Sequence, residues 1–282
     1  MLRRTVREFA ETEMRPHVME WDESQQFPMD LLPKLAALGL TGIQFGEEFG
    51  GAAMSAVDYC ICIEELARVC PSIALSVAAH NGLCTTHIAR FGNDAQKRQY
   101  LPRLVRGEVL GAWGLTEASA GSDAAAMRTS AVKQGDCWVI NGSKTFITHG
   151  RIGGIMVVVA VTDRARAHRG ISAFVVEHGT PGMSAGKKEN KLGMRASDTS
   201  EVIFQDCRVP ATHLLGGEGE GFINTLQVLD GGRIGIAALS VGLAQGAYEA
   251  AKRYSQERRQ FGQPIATFQA VRWKLADNAT RI

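Results

Sequence analysis

A chain of 282 residues with 45% hydrophobic and 21% charged residues can bury a sizeable core and divide into two or three domains. A net charge of only +2 offers no field for a nucleic acid or an anionic membrane surface. The six cysteines form no C-x-x-C pair and the seven histidines no H-E-x-x-H, which argues for buried thiols in a reducing compartment and against a metal centre.

Residues 1–106 read as helices. Phe9, Met14, Val18 and Trp21 recur at helical spacing, as do Leu31, Leu35 and Leu38. Another helix opens at Tyr59, with Cys60, Ile63 and Leu66 on one side. Breaks fall at Gly46–Gly51, Pro71 and Gly92-Asn93-Asp94. Arg3, Arg4 and Arg7 are followed by Glu8, Glu11 and Glu13 with no apolar run, so no secretory signal is expected here.

Residues 107–215 change rhythm. Cys137–Ile140, Ile155–Val161, Ile171–Val176 and Val202–Phe204 are short and rich in β-branched and aromatic residues. Turns are expected at Asn141-Gly142 and at Gly179–Gly182, and the basic run Arg164–Arg169 reads as a solvated hairpin tip. No helical pattern separates these strands, which predicts a compact antiparallel sheet or barrel. The longest apolar stretch, Ile155–Val161, is too short to span a bilayer, so a soluble intracellular protein is expected.

Residues 216–282 return to the helical period after a glycine-rich run, through Phe222, Leu226 and Leu229 and then Phe268, Val271, Leu275, Ala279 and Ile282. The last pattern stops without a glycine or proline. One long helix and part of another cannot cover both their apolar faces, so a shortened helical bundle is expected.

The common nucleotide and nucleophile motifs are missing. No G-x-G-x-x-G follows a strand, Gly182–Lys188 falls short of a P-loop, and there is no G-x-S-x-G. Three other stretches stand out. Trp113–Asp123 ends a strand in small residues flanked by hydroxyls, which lets a flat ring or a pyrophosphate approach the backbone, and equally suits a surface turn. Lys144–Thr148 leads out of the Asn-Gly pair, and strict alternation puts Phe146 and Thr148 on one face. An ordinary half-buried strand fits that stretch as well. Asp230-Gly231-Gly232-Arg233 sets two glycines inside a helical pattern at a cost of roughly 1 kcal/mol each. Either a ligand or a closely packed helix, as Gly235, Gly242 and Gly246 suggest, offsets that cost.

Taken together, the stretches resemble the acyl-CoA dehydrogenase family. Leu115–Asp123 resembles its T-E-x-x-x-G-S-D signature, and Lys144–Thr148 its K-x-[WF]-I-T strand. Leu192–Arg195, Phe204–Pro210, Asp230–Arg233 and Arg258–Gly262 are similar to later motifs in the same order. Ala118 stands where proline is frequent, and Phe146 where tryptophan is. The Gly232–Ala237 run looks most like the short-chain (butyryl) branch.

The resemblance implies an α+β protein with a helical N-terminal domain (1–106), a flavin-binding β-barrel middle domain (107–215) and the start of a C-terminal four-helix bundle (216–282). It implies a homotetramer, cytoplasmic or in the mitochondrial matrix. FAD is the implied cofactor, contacted by Trp113, Leu115, Thr116, Gly121, Ser122, Phe146, Ile147 and Thr148, with Arg258, Phe261 and Gln269 reaching the FAD of a neighbouring subunit. Ser122, Asp230, Gly231, Gly232 and Arg233 would hold the acyl-CoA. The implied reaction is α,β-dehydrogenation of the thioester, with electrons passed to an electron-transferring flavoprotein. The usual catalytic glutamate is expected beyond Ile282; the alternative position used by some branches, just before the arginine, is Gly232 here. A flavin oxidase or monooxygenase of the same fold, or a non-catalytic FAD- or acyl-CoA-binding module, remains open at this point.

Overall fold

The computed structural model describes residues 1–282, and helices occupy its first third. They are α1 (Leu2–Phe9), α2 (Val18–Ser24), α3 (Leu32–Ala37), α4 (Ala56–Val69), α5 (Pro71–Ala79), α6 (Thr86–Phe91) and α7 (Asp94–Val105). Capping boxes start two of them: the Ser55 hydroxyl accepts from the Asp58 N–H, and the Asn93 side chain accepts from that of Gln96. Pro71 takes the first position of α5, where no N–H is needed. Ile63 and Leu66 of α4, Ile73 of α5 and Leu35 of α3 meet in one core. Arg3 and Arg7 of α1 both reach Glu65 of α4, at 2.6 and 2.8 Å.

Between α5 and α6 the chain widens into a π-helical segment, His80–Thr85. The Thr85 and Thr86 hydroxyls donate to the carbonyls of His80 and Asn81, at 2.7 and 2.8 Å, and so satisfy groups that the wider turn frees.

The middle of the chain forms one eight-stranded sheet: β1 (Leu110–Gly114), β2 (Ser130–Gln134), β3 (Cys137–Thr148), β4 (Gly153–Val161), β5 (Ile171–Glu177), β6 (Met183–Lys188), β7 (Thr199–Pro210) and β8 (Leu214–Leu215). The order is β6-β7-β3-β2-β4-β5-β8, with β1 beside β4. Trp138 of β3 and Phe174 of β5 are three strands apart in that order, yet their ring centroids lie 5.2 Å apart. The sheet therefore curls around its own core. Met156, Val158 and Ala160 of β4 face that interior, whereas Ile155 and Val157 pack against Ile88 and Leu104 of the helical layer. Both faces of β4 are covered, which is why it reads as an unbroken apolar run.

Two details depart from the expected strand pattern. The sheet is mainly antiparallel, but β1 runs parallel to β4. The β2–β3 hairpin intervenes and gives the chain enough length to re-enter in the same direction. Asn141-Gly142 is not a turn. It lies inside β3 at a register shift against β7, and the hairpin turn is Gly135-Asp136, which the Gln134–Cys137 pairing closes. Arg164–Gly170 is a 3₁₀ connection between the antiparallel β4 and β5, with its basic side chains exposed. All six cysteines are free.

The chain ends in α8 (Gly221–Glu257), the short β9 (Arg259–Gln260) and β10 (Gln263–Pro264), and α9 (Gln269–Arg281). α8 crosses α4 at close range. A Cβ on Gly242 would lie 2.2 Å from the Glu64 carbonyl oxygen, and one on Gly246 would lie 2.1 Å from that of Arg68. Arg68 also pairs with Glu249 at 2.8 Å. No residue of α9 is buried.

Candidate active site

Three segments from different parts of the chain converge where the sheet meets α5 and α8. β1 and its continuation bring Trp113, Leu115 and Thr116. The end of β3 brings Phe146, Ile147 and Thr148. The α5–π junction brings Ala79 and Leu83. Together with Gly111 they line a cleft of about 180 Å³. A second cavity of about 330 Å³ adjoins it, walled by Leu75, Ala78, Leu229 and Ile236 with Gly232 and Arg233. Ala79, Leu83 and Thr148 belong to both linings. One space has aromatic and hydroxyl-bearing walls, the other mainly aliphatic walls, and Thr148 sits at their junction.

The cleft is built by a local irregularity. Strict alternation along β3 fails at a bulge between Lys144 and Ile147, where Phe146 takes a left-handed φ of 58°. A non-glycine residue held there costs about 1–3 kcal/mol. As a result Phe146, Ile147 and Thr148 all line the cleft, in place of Phe146 and Thr148 alone. The Phe146 side chain is largely exposed at its rim.

A buried ion pair holds the two lining strands together. Lys144 Nζ lies 2.7 Å from Glu117 Oε1 and donates to the Leu115 carbonyl at 3.0 Å. Glu117 also accepts from the Arg128 and Thr129 N–H groups, at 2.7 and 2.9 Å. Burial pushes the Glu117 carboxyl up, but the Lys144 ammonium and these donors outweigh it and hold it below the ordinary carboxylate value. The Thr145 N–H donates to the Thr116 carbonyl at 2.8 Å, a further tie between the two strands. Neither Lys144 nor Glu117 stood out in the sequence as a site residue. The signal was present, since each sits within a matched motif.

Behind the cleft, β1 rests on three buried histidines. The Gly111 N–H donates to His80 Nδ1, and its carbonyl accepts from His149 Nδ1–H, both at 2.9 Å. Trp113 Nε1–H donates to His87 Nδ1 at 3.1 Å. Burial drives all three imidazoles down to about 4, so they are neutral at pH 7.

The remaining residues expected at the site fall elsewhere. Gly121 and Ser122 are exposed in the loop after Glu117 and outside both linings. Asp230 pairs with Arg233 at 2.8 Å on the exposed side of α8. Gly231 lines a different cavity of about 330 Å³, beside Tyr59 and Arg90. Arg258 and Phe261 lie on the exposed α8–α9 connection and Gln269 at the start of α9, all outside the cleft of their own chain. Leu83, Leu229 and Ile236 escaped sequence reasoning. Of these, Leu229 and Ile236 carry a readable sign, flanking the glycine pair seven residues apart on one helix face.

The residues of the cleft fit a flavin. Trp113 and Phe146 offer aromatic surface, and Thr116 and Thr148 offer hydroxyl groups. None of the residues lining either cavity carries a carboxylate. A helical layer, a curled sheet and a returning helical layer are the architecture of a class of oxidoreductases that act on CH–CH groups. The chain belongs to the acyl-CoA dehydrogenase family. Residues 1–108 match its N-terminal domain, 112–207 its middle domain and 219–282 its C-terminal domain. Members of the family are FAD-dependent and typically tetrameric.

The short-chain-specific acyl-CoA dehydrogenase of Clostridium acetobutylicum is 47% identical over 98% of this chain and 73% of its own length. A chain in a solved structure described as the electron-transferring flavoprotein of Acidaminococcus fermentans superposes with a TM-score of 0.98 at 45% identity, covering 100% of this chain and 74% of that one. The butyryl-CoA dehydrogenase of Megasphaera elsdenii superposes at 0.96 with 42% identity, covering 99% and 74%. The chain thus spans about three quarters of the length of these relatives.

Proposed function

We propose that the cleft between Trp113 and Thr148 holds the flavin ring of FAD and that the adjoining cavity holds the acyl group of a short-chain acyl-CoA. The reaction is α,β-dehydrogenation of the thioester to the trans-2-enoyl-CoA, with electrons passed to an electron-transferring flavoprotein. One observation carries this reading: the two spaces share Ala79, Leu83 and Thr148, so a ring in one and an acyl chain in the other meet at a single edge.

When bound, FAD supplies the acceptor for the hydride that leaves the β carbon. The chain supplies position and dryness. Leu75, Ala78, Leu229 and Ile236 exclude water from the acyl group, which strengthens every electrostatic interaction at the thioester. The Thr116 and Thr148 hydroxyls orient the ring edges, and the exposed Arg233 is the cationic group among the residues lining the acyl cavity. Removal of the α proton needs a base within hydrogen-bond reach, and the linings contain no carboxylate. We assign the base to a part of the protein outside these two linings. Likeness to short-chain-specific relatives supports the substrate class, and likeness to the Acidaminococcus fermentans structure supports the acceptor.

The test is an anaerobic titration of the protein with FAD and then with butyryl-CoA, followed by flavin absorbance. Saturable FAD binding and a spectral shift on adding butyryl-CoA are expected. A protein that takes up FAD but shows no change with any acyl-CoA would overturn the substrate assignment. Failure to take up FAD would overturn the cofactor assignment.

A further inference from the structure

We propose that His87 is a positioning residue for the cofactor cleft: it fixes the Trp113 indole, and through it one wall of the flavin site. This rests on the reading of that cleft as the flavin site.

The two residues come from different layers. His87 lies on α6, fully buried, and Trp113 on β1, with its indole in the cleft wall. The indole N–H can only donate, so His87 Nδ1, 3.1 Å away, must be the acceptor. The ring proton is therefore on Nε2, which is buried and has no partner in the chain. Leaving a polar N–H unpaired in a core is destabilising. Leucine or phenylalanine would fill the same space without that cost, so packing gives no reason for an imidazole. Acceptance of the Trp113 N–H does.

The imidazole is itself held. Phe91 packs edge-on against it with centroids 5.4 Å apart, and the Trp113 ring is tilted at 48° on a centroid separation of 6.3 Å. Arg90, on the same helix, is held on Gln227 of α8 through bonds of 3.0 and 3.1 Å. Burial, with a smaller contribution from the Arg90 charge, keeps the imidazole in the neutral form that can accept. Helix α6, tied to α8 through Arg90, thus carries the imidazole that holds the Trp113 indole in the cleft wall. An indole free to rotate about its side-chain torsions would lose part of its ordering when a ring stacks on it, and that loss weakens binding.

The experiment compares His87→Leu, His87→Gln and Trp113→Phe, alone and as His87→Leu with Trp113→Phe. The readouts are the FAD dissociation constant and the visible circular dichroism of bound flavin, with the urea midpoint as a control for folding. His87→Leu should weaken FAD about three- to tenfold and alter the flavin dichroism. His87→Gln, whose amide oxygen can accept the indole N–H, should recover most of both. In the Trp113→Phe background His87→Leu should have little further effect on FAD. Equal FAD affinity and dichroism in His87→Leu and the parent protein overturn the inference, even if the urea midpoint falls. So do additive losses in the double variant. If the parent protein itself binds no FAD, the assignment of the cleft fails instead.

Discussion

Lys144 Nζ sits 2.7 Å from Glu117 Oε1, with the lysine fully buried and the glutamate 7% exposed. The pair joins the two motif-bearing strands directly beneath the cleft. Two charges taken out of water recover the loss only when their remaining hydrogen-bonding capacity is used. Here the Leu115 carbonyl and the Arg128 and Thr129 N–H groups use it.

Removing one partner should therefore be far worse than removing both. Lys144→Met or Glu117→Gln alone should cost about 3–5 kcal/mol, and the double variant less than the sum. Urea denaturation of the three variants checks this. Additive losses would show that the pair is not coupled.

Glu117 also sets an acid limit. Its folded value lies below the ordinary 4.5, so its stabilisation is complete above about pH 4.5 and is lost as pH falls through the depressed folded value. The buried histidines act at milder pH. His80, His87 and His149 drop from 6.5 to about 4, so the unfolded chain takes up their protons first and stability declines from pH 6.5 down to about 4. The slope is at most roughly 1.4 kcal/mol per pH unit for each histidine. Urea midpoints at pH 7, 6 and 5 should fall in that order; a flat profile counts against neutral burial.

Thr116 and Thr148 hydroxyls should each contribute one hydrogen bond to bound flavin. Alanine at either position should weaken FAD by roughly three- to tenfold. Isothermal titration of both variants with FAD checks the assignment, and unchanged constants in both would refute it.

The glycines of α8 should divide by what faces them. At Gly242 a new methyl would meet the Glu64 carbonyl at 2.2 Å, and backbone cannot easily give way. At Gly231 nothing lies within 4 Å. Gly242→Ala should destabilise by about 1–3 kcal/mol, whereas Gly231→Ala should gain up to about 1 kcal/mol of helix propensity. Thermal melts showing the same sign for both would contradict the helix crossing.

Gly232 offers a way to introduce a base. A Cβ there meets only the end of the Leu83 side chain, at 3.3 Å, and the position lines the acyl cavity. Gly232→Glu in FAD-loaded protein should give slow flavin bleaching with butyryl-CoA, faster than the parent within the 10²–10⁴ range typical of a general base. Stopped-flow absorbance reads it. Rapid bleaching by the parent protein would mean that a base already reaches the α proton.

Much was legible in the sequence because it is encoded locally. Helical spacing at Phe9–Trp21, β-branched runs at Ile155–Val161 and the recurring period after Gly221 depend on neighbours in the chain, and they mark the helix–sheet–helix order without reference to anything distant. The motif residues Trp113, Leu115, Thr116, Phe146, Ile147 and Thr148 are singled out by the family resemblance, not by local pattern, and they line one cleft. Tertiary structure alone decided how they meet. The bulge at Phe146 depends on the register of β3 against β7, and the Lys144–Glu117 contact on the placing of β3 beside the β1 extension. Which glycines of α8 face α4 and which face a cavity depends on the crossing of two helices far apart in sequence. Side-chain periodicity states which face of an element is apolar, and only packing against a distant partner states what that face meets.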